Sequence, residues 1–317
     1  GPAVVEAIGE ASDKESLGGS AIHTRNGVVD EEVGSEAEAF AQARRFLSYL
    51  PSHVGQHAPR TANSDPTDRK EPGLISLVPR EAKQVYSMRK LLDAAFDKGS
   101  VFEMGKQWGR AAITAFARLD GWPVAVIASD PTFLGGSWEA KTSEKVERFI
   151  KLADQFRLPV VHLVDNPGFM IGLAAETTGT IRYGVEALFA AIQSRVPWAS
   201  VIVRKSFGVA AGIHLGPGAM TFAWPSAEFG AMPIEGGVAL AFGKEIASAP
   251  DPEARRRELE DEMARAQSVF PRAEEFGVHE LIDPRQTRPA LCGWLDEVEH
   301  ALRANLGAGP PRYSLRP

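Results

Sequence analysis

Two apolar runs of strand type, residues 158–164 and 199–203, each end in a glycine-bearing turn. These turns are Asp165-Asn-Pro-Gly-Phe169 and Phe207-Gly-Val-Ala-Ala-Gly212. Runs without polar alternation belong to strands buried on both faces, the condition of a parallel sheet covered by helices. Each turn leads toward a helix or helical turn, so backbone N–H groups are left free at the strand ends. Free amides in such a place can bind an oxyanion, and the chemistry is expected there.

The chain has 317 residues and 44% hydrophobic content, enough for a large core in one big α/β domain or two smaller ones. Its net charge is −6, and its longest basic run is Arg255-Arg256-Arg257. That run sits among acids in a helical pattern over 251–265, which reads as a solvated face and argues against nucleic acid as a partner. The single cysteine, Cys292, excludes an intrachain disulfide and a cysteine-rich metal site, and its helical neighbours Leu291 and Trp294 make it a core thiol. No metal site is expected. No apolar stretch approaches the ~18 residues of a membrane span, and the N-terminus has no basic segment followed by an apolar one. The chain reads as soluble and cytoplasmic.

A helix is expected over 35–50, with acids in its first turn and arginines late in it. Residues 51–73 carry four prolines and read as a linker or long surface loop. From Tyr86 the pattern is regular: helix 87–98, strand 111–119, a turn at Asp120-Gly121, and strand 123–128 closing a hairpin. Helix 142–157 then feeds strand 158–164, and helix 180–195 feeds strand 199–203. Short apolar segments 220–224 and 227–232 precede Gly236-Gly237 and a helix over 238–247. This is strand–helix repetition around a mostly parallel sheet, without a dinucleotide-binding glycine fingerprint. Glycines instead fall at expected strand ends: Gly135-Gly136, Gly208 with Gly212, and Gly236-Gly237.

Neither a Gly-x-Ser-x-Gly elbow nor His-Glu-x-x-His occurs. Of seven histidines, His162 lies inside a strand and reads as a satisfied core residue, while His214 lies two residues beyond Gly212, close to the expected site. Few obligatory side-chain catalysts beside glycine-lined strand ends point to main-chain amides as the working groups.

Further motifs extend this pattern in order: Leu17-Gly-Gly-Ser-Ala-Ile-His-Thr-Arg25, Tyr86-Ser-Met-Arg89, Thr114-Ala-Phe-Ala-Arg-Leu-Asp-Gly121 and Ile181-Arg-Tyr-Gly184. Val203-Arg-Lys-Ser-Phe-Gly208, Ala223-Trp-Pro-Ser-Ala-Glu228, Glu235-Gly-Gly-Val238 and Ile282-Asp-Pro-Arg-Gln-Thr-Arg288 complete the series. With Asp165–Phe169 among them, the chain resembles the carboxyltransferase (β) subunit of biotin-dependent acyl-CoA carboxylases of the propionyl-CoA and acetyl-CoA carboxylase type. The resemblance implies an α/β crotonase-like β-β-α spiral, with residues 1–73 as the end of the family's N-terminal domain and a linker, and 74–317 as its C-terminal carboxyltransferase domain. It also implies that most of the acyl-CoA-binding half is absent, as in a cloned domain, a proteolytic remnant or a naturally split subunit.

By the same resemblance, carboxybiotin carried on a separate protein releases CO2, its ureido anion takes the α-proton of the acyl-CoA, and the enolate captures CO2. Pairs of main-chain amides stabilise the two oxyanions. Carried over by position, Val209 and Ala210 donate to the biotin oxyanion; Gly168, Phe169 and Gly208 line the biotin pocket; Gly212 and Ala211 select the substrate. Gly135 and Gly136 form a possible additional amide-bearing turn. Val209 stands where the family has glycine, which keeps the N–H, adds a branch and disfavours positive φ. Asn166 is a further departure, adding a polar group to the turn. The implied partners are a biotin carboxyl carrier protein, a biotin carboxylase subunit, acyl-CoA, and either a second copy or the missing N-terminal half. Two other readings stay open: a stand-alone crotonase-like acyl-CoA enzyme such as a decarboxylase or hydratase, and a non-catalytic assembly subunit.

Overall fold

The computed structural model describes residues 1–304 except 54, 82, 215 and 217. Three short helices, α1 (Pro2–Glu6), α2 (Lys14–Gly18) and α3 (Ser20–His23), precede α4 (Glu36–Ser48), whose Ser35 cap accepts from the Glu38 N–H at 3.2 Å. α5 (Met88–Ala95) then leads into β1 (Phe102–Met104), β2 (Ala112–Leu119) and β3 (Trp122–Ser129). β2 and β3 pair antiparallel from Ala112↔Ser129 to Leu119↔Trp122, closed by Asp120 (φ 47°) and Gly121 (φ 77°). Two positive φ values in a two-residue loop match the right-handed twist of the strands, which is why Asp-Gly is favoured there.

After the hairpin the chain alternates: α6 (Ala140–Phe156), β4 (Val160–Asn166), α7 (Leu173–Thr177), α8 (Thr180–Gln193), β5 (Trp198–Phe207) and the single turn α9 (Ala211–His214). β6 (Met220–Ala223), β7 (Glu228–Gly230), α10 (Ile234–Ser248), α11 (Pro252–Gln267), α12 (Val269–Glu274), β8 (Glu280–Leu281) and α13 (Thr287–Ala304) complete the described chain. The sheet runs β1-β2-β3-β4-β5-β6-β8, parallel from β3 onward, with β7 pairing alongside the end of β5.

Both faces of the sheet are covered. On one side Leu91 and Leu92 of α5 and Leu291, Trp294 and Leu295 of α13 pack on Ile113, Val126, Leu163 and Val201. Cys292 belongs to this layer, and burial pushes its thiol up to about 11. On the other side Val146, Phe149 and Ile150 of α6 and Ala187 and Ala190 of α8 meet Ile127, Val160 and Trp198. Polar positions on the central strands would therefore be buried whichever way they pointed, which accounts for the continuous apolar runs.

Residues 51–73 do run over the surface, but they are tied down. Arg118 donates to the Ser48 and Pro59 carbonyls, and the buried Arg288 donates to the Asp65 and Pro66 carbonyls and to Asp97 at 2.8 Å. One expectation fails: Gly236 and Gly237 lie inside α10, not at a strand end. A Cβ on Gly237 would stand 3.0 Å from Met263 Sδ, so this glycine lets α10 lie close against α11. Among the described residues no helix is long and apolar enough to cross a membrane.

Candidate active site

β4 and β5 are parallel neighbours, so their C-terminal ends emerge on the same side of the sheet. Ligands of open α/β sheets bind outside such carboxyl ends. The first turn is anchored by Asp165, which is fully buried. Its carboxylate accepts from Arg204 Nε at 3.1 and 3.2 Å, from Arg204 Nη2 at 3.0 Å and from the Lys205 N–H at 3.1 Å. Its own N–H donates to Ser129 Oγ at 3.0 Å. Arg204 also lies over the Tyr86 ring at 5.2 Å and donates to the Gln84 carbonyl. Burial, followed by the Asp165 charge, holds the Tyr86 phenol well above its ordinary value.

The next residue folds the turn onto itself. Asn166 Oδ1 accepts the Gly168 N–H at 2.6 Å, a side-chain copy of a backbone turn, and Gly168 takes φ 120°. The extra polar group of Asn166 thus has local work, and it occupies the Gly168 amide. The Phe169 ring is half-buried on α8, where a Cβ at Gly184 would come within 2.4 Å of it. Beyond it, Ile171 and Leu173 project into solvent with 87% and 85% exposure.

In the second turn, β7 holds the end of β5, and the Gly208 N–H donates to the Gly230 carbonyl at 3.0 Å. The Ala211, Gly212 and Ile213 amides donate back to the carbonyls of Gly208, Val209 and Ala210. No described residue accepts from the N–H of Val209 or Ala210. Positive φ falls on Gly208 (66°) and not on Val209, so the valine sits in ordinary backbone with its branched side chain 59% exposed. Gly212 is exposed, and a Cβ there would meet Leu188 Cδ1 at 3.1 Å.

A third turn joins them. Leu134, Gly135 and Gly136 all have positive φ (50°, 61°, 85°), and Trp138 bridges to Phe169 through Trp138 N–H to Gly168 O at 3.1 Å and Met170 N–H to Trp138 O at 2.9 Å. A Cβ on Gly136 would stand 2.6 Å from the Asp165 carbonyl oxygen, whereas one on Gly135 would meet nothing within 4 Å. Gly135→Ala is therefore expected to cost only the left-handed backbone preference, about 1–2 kcal/mol. Gly136→Ala adds a backbone collision, so its loss should exceed that of Gly135→Ala by at least about 1 kcal/mol. Denaturant midpoints of the two variants compare them directly, and equal losses would refute the docking of this turn on Asp165.

The expected site residues therefore divide. Gly135, Gly136, Gly168, Phe169 and Gly208 build three interlocked turns, and Val209 and Ala210 carry the unpartnered amides. Ala211 and Gly212 open the helical turn behind them. Arg182 reaches Glu186 at 3.6 Å, Glu228 lies in β7, and the side chain of Glu235 lies outside the described residues. His162 is buried as expected, but neither of its ring nitrogens has a hydrogen-bond partner among the described residues. Burial pushes its pKa down to about 3, and His214, also fully buried, is likewise pushed well down. The Asp165–Arg204 pair went unread, although an acid and an arginine each closing an apolar run were its visible signal.

The mixed sheet flanked by helices is an α/β architecture, and its match to transcarboxylase 12S places it in the crotonase-like class. The carboxyl transferase domain model matches residues 1–306, and the chain belongs to that family. The propionyl-CoA carboxylase carboxyltransferase subunit of Haloferax mediterranei is 34% identical over 298 residues, covering 92% of this chain and 58% of that protein. The methylmalonyl-CoA decarboxylase subunit alpha of Veillonella parvula is 34% identical over 303 residues, covering 93% and 58%. Among solved structures, transcarboxylase 12S, a hexamer seen with methylmalonyl-coenzyme A bound, superposes with a TM-score of 0.90 at 30% identity, covering 100% of this chain and 60% of that one. The chain thus spans under two thirds of the length of these relatives.

Proposed function

We propose that this chain is the biotin-facing part of a biotin-dependent carboxyltransferase that moves a carboxyl group from carboxybiotin to the α-carbon of an acyl-CoA. The observation that carries the reading is the pair of N–H groups at Val209 and Ala210, unpartnered among the described residues at the carboxyl end of β5. When bound, carboxybiotin supplies the carboxyl group and presents a ureido oxygen that gathers negative charge as the group leaves. Two fixed amides facing that oxygen need no reorganisation as the charge develops, and each such donor contributes about 2.7–4 kcal/mol to the transition state. Val209 fits this role because Gly208 absorbs the positive φ and leaves the valine N–H unspent.

The Gly168 and Gly208 amides are engaged within the fold, so both glycines, with Phe169, shape the pocket instead of donating to it. Gly212 and Ala211, on the exposed rim of α9, are the positions assigned to acyl selection. Residues 74–317 are assigned to the second crotonase-like domain, since every strand among the described residues lies there, and 1–73 to the end of the first domain and a linker. A biotin carboxyl carrier protein, a biotin carboxylase subunit in the cytoplasm, and a further carboxyltransferase domain supplying the acyl-CoA half of the site complete the assembly. The exposed Ile171 and Leu173 beside the first turn suit such a contact.

The test is carboxyl transfer from malonyl-CoA or methylmalonyl-CoA to free biotin, with and without a separately expressed first domain. Turnover that requires biotin and both domains supports the reading. Acyl-CoA turnover without biotin would replace it by the stand-alone enzyme, and a folded chain that neither turns over nor binds biotin would leave an assembly role. Replacing the Gly208–Val209 amide by an ester removes one donor without changing a side chain. It is expected to lower kcat about 10²–10³-fold.

A further inference from the structure

α9 is one helical turn, too short to persist on its own propensity, yet the two free amides lie in the loop that enters it. Its last residue, His214, is fully buried and is held at two points by the strand that precedes the loop. Ser206 Oγ lies 2.9 Å from His214 Nδ1, and the Ser200 hydroxyl donates to the His214 carbonyl. Both serines are on β5, so the chain rises along the strand, turns through Gly208-Val209-Ala210, and is clasped back onto that strand. The imidazole is walled by the perpendicular ring of His162 at 5.4 Å and by Trp138 at 6.2 Å. The neighbouring Ile213 is fully buried among the layer that includes Trp198.

We infer that His214 and Ser206 form a positioning pair that fixes the orientation of the Val209 and Ala210 amides. The inference rests on the carboxyltransferase reading for its catalytic consequence. The side chains touch no reacting atom; they act through the loop whose ends they hold together.

The test uses Ser206→Ala, His214→Leu and His214→Asn in the full chain, the last keeping a polar group near the Nδ1 position. Hydrogen exchange at the Ala211, Gly212 and Ile213 amides reports opening of the turn, and the two-domain transfer assay reports its consequence. Ser206→Ala is expected to speed exchange at these amides about ten-fold or more and to lower kcat about 10–100-fold with little change in the acyl-CoA KM. His214→Asn should recover most of both, and Ser206→Ala combined with His214→Leu should be no worse than His214→Leu alone. Unchanged exchange in Ser206→Ala, or faster exchange with undiminished kcat, overturns the inference. If the unmodified chain shows no biotin-dependent turnover together with the first domain, the carboxyltransferase reading fails, while the exchange measurement still decides whether the clasp holds the turn.

Discussion

Asp165→Ala is expected to destabilise the chain by about 3–5 kcal/mol, because it removes one member of a buried ion pair and strands the other. The side chains of Arg204 and Asp165 are 6% and 0% exposed. Without the carboxylate the guanidinium keeps, among the described residues, the Gln84 carbonyl and the Tyr86 face, and the Lys205 N–H loses the Asp165 acceptor. Arg204→Met should cost less, since the remaining carboxylate would still accept from Lys205. Replacing both partners by Leu and Met should recover much of the loss, because a well-packed apolar pair is often as stable as a buried salt bridge. Urea unfolding of the four proteins measures this. A loss below about 1 kcal/mol for Asp165→Ala would show that the pair does not join the two strand ends.

The pair also bears on the site. Asp165 opens the turn that carries Gly168 and Phe169, Arg204 and Lys205 precede the turn that carries Val209 and Ala210, and the Asp165 carbonyl abuts Gly136. The Asp165 carboxylate thus ties two of the turns together while its backbone carbonyl meets the third, so on the carboxyltransferase reading Asp165→Asn should impair transfer even where the chain remains folded.

Local patterns were legible where the physics is local. Asp120-Gly121 between two apolar runs specified its hairpin, and the helical periodicities located α6 and α8 to within a few residues. Gly236-Gly237 misled because two adjacent glycines normally weaken a helix by about 1 kcal/mol each, and what Gly237 permits, close packing against Met263, lies on another helix. The site was legible as a pair of turns but not as a set of available donors. Whether an amide is free depends on partners that arrive from elsewhere, as Gly230 does for Gly208, or from a side chain that folds back, as Asn166 does for Gly168. Cross-strand register likewise has no local trace, which hid the pairing of Asp165 with Arg204.

Acid should unfold this protein early, through His162 and His214. Both rings are fully buried, and burial favours their neutral forms; His162 titrates at about 3 in the folded chain against 6.5 as its ordinary value. His214 is shifted in the same direction, first by burial and then by His162. The unfolded state therefore binds more protons than the native state below pH 6.5. The stability these two neutral rings contribute is fully present above that pH and drains away as pH falls toward 3. His162 contributes a slope of about 1.4 kcal/mol per pH unit within that window, and His214 adds to the loss in the same direction. Urea midpoints measured from pH 7.5 to 5 should fall below pH 6.5, and His162→Leu should make that fall shallower. A midpoint flat across pH 7 to 5 would mean that both rings are protonated, or reach water, in the native state.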